Sequence, residues 1–113
     1  MRKAILMLLL AAMSSSAAAA WVLAGRSEIT AAYADPASIR RTGNMAIMRE
    51  LFDLKTARML ENKPYLSMKR EVEYDCNEGR SRLLSYSGHS KNMADGEVIY
   101  SSTDPHEWQP VSS

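Results

Sequence analysis

Tyr65-Leu66-Ser67-Met68-Lys69-Arg70-Glu71-Val72-Glu73-Tyr74-Asp75-Cys76 is the stretch that decides the fold. Leu66, Met68, Val72, Tyr74 and Cys76 share one parity, broken only by Arg70; Ser67, Lys69, Glu71, Glu73 and Asp75 share the other. Successive side chains of a strand point to opposite faces, so this alternation predicts an antiparallel strand with one apolar face and one face in water. A slip of one residue would drive the charged set inward, which pins the register. Asn77-Glu78-Gly79 ends the element with a glycine available for positive φ, and Arg80 to Ser87 returns as the second arm of a hairpin.

Reading outward, turn signals recur about every 8–12 residues, the spacing of a small all-β domain. Asp95-Gly96 precedes a short strand, Glu97 to Ser101, and Thr103-Asp104-Pro105 precedes Trp108-Gln109-Pro110-Val111. Upstream, Trp21 to Ala24 is an apolar run ended by Gly25. Glu28 to Ala34 reads as a strand that stops at an Asp35-Pro36-Ala37-Ser38 turn, because proline disfavours helix at the residue before it. A second turn centres on Gly43-Asn44. Met45 to Leu54 is apolar on both parities and reads as a buried strand. Lys55 to Lys63, bounded by Pro64, is the one stretch open to a helix, a loop or a hairpin end. The sum is about six antiparallel strands.

The first 20 residues carry a different signal. Arg2 and Lys3, the apolar run Ala4 to Met13, three serines and four alanines have the order of a secretory signal peptide. The run is too short to span a bilayer. The cut is placed between Ala20 and Trp21, with a cut after Ala19 nearly as good. Residues 21–111 then form the domain and 112–113 a short tail. Removing the first 20 of 113 residues leaves 12 Lys+Arg against 13 Asp+Glu, interspersed along the chain. No basic block points to nucleic acid, and no later apolar run would make a membrane span in the mature chain.

Candidate chemistry is sparse. Cys76 is the lone cysteine, which in an exported chain reads as an intermolecular disulfide, a free thiol or a small buried hydrophobe. Glu71, Glu73 and Asp75 line a flat strand face, whereas calcium needs six to eight oxygens converging from several segments. His89 and His106 lack zinc-ligand spacing. Ser85, Ser87 and Gly88 superficially resemble a nucleophile elbow, but the G-x-S-x-G pattern is not met. No catalytic residue, metal site or cofactor is expected. Trp21 and Trp108 are candidates for aromatic binding or for packing at the sheet ends, and the methionines for core filling.

The runs AWVLAG (20–25), YADPASIRRTGN (33–44), LFDLKT (51–56), KPYLSMKREVEYDCNEGRSRLL (63–84) and GEVIYSS…EW.PV (96–111) resemble the surface-adhesin protein E-like family, small exported proteins of Gram-negative bacteria. The stretch 63–84 is its most specific part. The resemblance implies an α+β, mainly β fold: an antiparallel sheet of about this strand count with a short C-terminal helix packed on it. In the family a late cysteine tethers that helix to the position of Cys76. This chain reaches Ser113 without that helix or cysteine, which leaves Cys76 odd and suggests a homodimer joined through it.

The resemblance also implies a non-enzymatic, protein-binding module of the periplasm or outer cell surface, with a host matrix or serum protein as ligand. The alternative is a periplasmic structural or housekeeping protein with no surface role. An exposed sheet edge or an uncovered sheet face is the place for strand addition or apolar contact.

Overall fold

Six strands follow one another in a meander, each antiparallel to its neighbour, in a computed structural model that describes residues 20–111. They are β1 (Val22–Arg26), β2 (Thr30–Thr42), β3 (Met45–Leu60), β4 (Lys63–Asp75), β5 (Arg80–His89) and β6 (Val98–Ser102). A two-residue strand, β7 (Gln109–Pro110), pairs with the start of β5, on the edge whose far end carries β6. Residues 1–19 of the proposed signal segment and the two-residue tail lie outside the described residues. Of the α component expected from the resemblance, the described residues hold only one 3₁₀ turn, Asn92–Ala94.

The deciding stretch forms β4, paired on one side with β3 and on the other with β5. The β4–β5 turn is built by Asp75. Its Oδ1 accepts from the Asn77 and Glu78 amides, Gly79 adopts φ 64°, and the Gly79 amide donates to the Asp75 carbonyl. At the β2–β3 turn Gly43 takes φ 61°, a value open to glycine at little steric cost.

Two sequence expectations need correction. Asp35-Pro36-Ala37-Ser38 is not a turn between strands. β2 runs through it, and the pairing with β3 skips from Asp35↔Arg49 to Arg40↔Ile47. The bulge places Pro36, which has no amide to donate, outside the ladder. Ser38 repairs the gap: its hydroxyl donates to the Asp35 carbonyl and accepts from the Arg49 amide. Of the three alternatives left open for Lys55–Lys63, the structure takes the hairpin end. β3 continues to Leu60, and Glu61 and Asn62 both take positive φ, as a two-residue type I′ turn requires.

The polar face of β4 is the second correction. It does not stand wholly in water: Ser67 is 0% exposed and Asp75 is buried. The chain after β5 crosses this face, and Ser67 donates to the Lys91 carbonyl while accepting from the Ala94 amide. Asn92 and Met93 bond the Asp53 carboxylate beside it.

The described residues form a single sheet layer rather than two packed layers. Among the described residues the buried apolar side chains are accordingly few, Leu51, Leu54 and Val72. The layer is reinforced by ion pairs between residues directly opposite in register: Asp35–Arg49, Glu50–Arg70, Glu73–Arg82 and Asp75–Arg80. Opposite charges facing across a ladder favour one register over its neighbours.

Candidate functional site

β1 forms one edge of the sheet, and all five of its residues are exposed. Val22 and Leu23, adjacent in sequence and so on opposite faces, are 53% and 46% exposed. β1 pairs only with β2, with a register shift between Leu23 and Gly25. Among the described residues its outer row of backbone groups therefore has no strand beside it. Trp21 enters this edge half-buried.

Trp108 sits at the opposite edge, so the two tryptophans do not form one patch. The guanidinium carbons of Arg80 and Arg82 each lie 4.7 Å from the Trp108 ring centre. Each arginine also holds a carboxylate of β4, Asp75 at 3.2 Å and Glu73 at 2.8 Å. The indole thus covers two ion pairs and fastens β7 to β5. The chain order predicted none of this stacking, although Glu73/Arg82 and Asp75/Arg80 are symmetric about the turn and could have been matched from sequence.

Cys76 is exposed in the β4–β5 turn, its amide donating to the Asn44 carbonyl of the neighbouring turn. It stands at the rim of a cleft of about 420 Å³ on the face that carries Ala46, Met48 and Tyr74. The Tyr74 hydroxyl donates to Glu50, whose carboxylate also takes the Arg70 guanidinium at 2.8 Å. Burial, then the Glu50 hydrogen bond, hold the Tyr74 phenol well above its ordinary value. Asp75 is held below the usual carboxylate range, first by the Glu78 amide and then by Arg80.

The two histidines are apart in role. His106 lies edge-on to Tyr86, their ring centres 6.1 Å apart. His89 is 5% exposed, with Nε2 2.8 Å from the Ser87 hydroxyl and Nδ1 without a partner among the described residues. Burial, then Lys69, lower its pKa and keep the ring neutral. The pair has the distance of a serine nucleophile and its base. Among the described residues no acid faces it to stabilise an imidazolium, and Lys69 opposes that charge. Glu71, Glu73 and Asp75 lie along one strand face, and among the described residues no three His, Cys, Asp or Glu side chains converge as a metal site would require.

The family model described as "Surface-adhesin protein E" matches residues 21–113. The chain belongs to the surface-adhesin protein E family. No curated protein matches it at a significant level. As a surface-adhesin protein E domain, the chain carries the seven-stranded sheet described above and one 3₁₀ turn between residues 20 and 111. Among those residues no helix is long and apolar enough to cross a membrane.

Proposed function

We propose that this chain is a non-enzymatic, exported adhesin-like module that binds a protein by strand addition at β1. The exposed β1 edge carries the reading. An extended segment laid along it would satisfy the free backbone row, while Val22 and Leu23 would offer apolar contact on the two faces. The family match supports protein binding and the cell surface of a Gram-negative bacterium as its setting. In this reading residues 1–20 are a signal peptide cut between Ala20 and Trp21, which sets the mature domain to begin immediately before β1. The ligand by family resemblance is a host matrix or serum protein. The periplasmic housekeeping alternative has no structural feature in its favour.

Binding of the purified chain to immobilised matrix and serum proteins tests the edge. Ala24→Pro removes an amide from β1 without touching the core. Retention of wild type and loss in the Pro variant supports strand addition; equal retention of both sinks it.

The exposure of Cys76 favours a second association, a homodimer joined by a Cys76–Cys76 disulfide in an oxidising compartment. Intact mass under non-reducing conditions reads it directly. A monomeric mass with one titratable thiol removes the covalent dimer.

A further inference from the structure

The cleft beside Cys76 is separate from the β1 edge and has a chemistry of its own. Register pairing runs Arg41↔Ala46 and Ala46↔Tyr74 across β2, β3 and β4, so these three side chains form one row on one face. Met48 stands in the next row, Ile39 and Val111 complete the walls, and the last two are 45% and 49% exposed. The volume of about 420 Å³ falls within the roughly 300–1,000 Å³ of small-molecule sites, which pair apolar walls with few polar groups.

The charges in the cleft do not cancel. Asp75 is spent: Oδ1 takes two turn amides and Oδ2 takes Arg80. Arg80 is spent on Asp75 and on the Trp108 face. Arg41 forms no ion pair among the described residues, so the cleft presents an apolar floor and one uncommitted guanidinium at its rim.

We propose that this cleft binds a medium-chain aliphatic carboxylate, with its tail against Met48, Ile39 and Val111 and its head at Arg41. Each methylene of the tail leaves water for an apolar wall. The carboxylate supplies the acceptor geometry that a guanidinium fork matches best. The bound tail passes the Cys76 thiol, which therefore reports occupancy.

The test uses the purified chain under reducing conditions, with dansyl-undecanoic acid as fluorescent probe. Saturable binding, displaced by decanoate and about tenfold more weakly by decanol, is expected. In Arg41→Gln the preference for decanoate over decanol should fall to within about twofold. Ile39→Glu changes a side chain already half in water, so the fold is retained while the apolar tail meets a charged carboxylate in place of an apolar wall. It should weaken both competitors. Decanoate should slow alkylation of Cys76 severalfold in the wild type and not in Ile39→Glu. Absence of saturable binding overturns the proposal, as does an unchanged preference in Arg41→Gln. So does a non-covalent dimer in light scattering that shields Cys76 without any carboxylate, since a second copy would then be the occupant.

Discussion

Ser67, fully buried on β4, donates its hydroxyl to the carbonyl of Lys91 at 2.6 Å and takes the Ala94 amide at 2.9 Å. One side chain thus satisfies two backbone groups of the segment between β5 and β6. Ser67→Ala leaves both unmet and should cost about 1–3 kcal/mol, read as a lower urea midpoint with unchanged m-value. Hydrogen exchange at Ala94 should quicken in the variant. An unchanged midpoint would show that water replaces the hydroxyl.

Tyr74 and Glu50 are tied across β3 and β4, with Arg70 on the same carboxylate. Tyr74→Phe removes one donor from a charged acceptor and should cost about 1–2 kcal/mol. The alkaline limb gives the sign. Tyr74 is raised above its ordinary 10, and burial with Tyr65 beside it pushes Tyr100 up to about 12. Both remain protonated in the folded chain when the unfolded chain has lost those protons, so stability is present below pH 10 and falls as pH rises beyond it. Ultraviolet titration should show late tyrosine ionisation whose amplitude drops in Tyr74→Phe.

His89 governs the acid side of neutrality. Its folded pKa lies below the unfolded value of 6.5, so the unfolded chain binds more protons. The contribution is complete above pH 6.5 and is lost as pH falls beneath it. Urea midpoints between pH 7.5 and 5 should decline in wild type with a steeper slope than in His89→Gln. Equal slopes would assign the decline to other groups.

Much of the sheet was readable in the sequence because strand periodicity acts locally. Tyr65–Asp75 alternates cleanly, Gly43 and Gly79 mark real turns, and Met45–Leu54 lies within β3. The extension of β2 past Pro36 was not readable, since it depends on Ser38 meeting an amide eleven residues away. Ser67 and Asp75 looked solvated because strand parity says which face a residue joins, not what later crosses that face. The same limit hid the Trp108 stack on Arg80 and Arg82, which exists only once the chain returns to β5.

Gly88 is required by a neighbour rather than by its own backbone. A Cβ built there would enter the ring of Tyr100, its register partner on β6. The ring also contacts Tyr65 and Tyr86 edge-on, at 5.5 and 5.8 Å between centres, so it has little room to retreat. Gly88→Ala should destabilise by about 1–3 kcal/mol through overpacking. Tyr100→Ala should relieve part of that cost, and a double-mutant cycle on thermal midpoints measures the coupling.

Surface placement is the claim on which the adhesin reading stands, and protease digestion on living cells measures it most directly. Whole cells and cells with a permeabilised outer membrane are treated in parallel and the chain is followed by immunoblot. The account predicts digestion on intact cells, to the same extent as after permeabilisation. Protection on intact cells with digestion only after permeabilisation would confine the chain to the periplasm and contradict it.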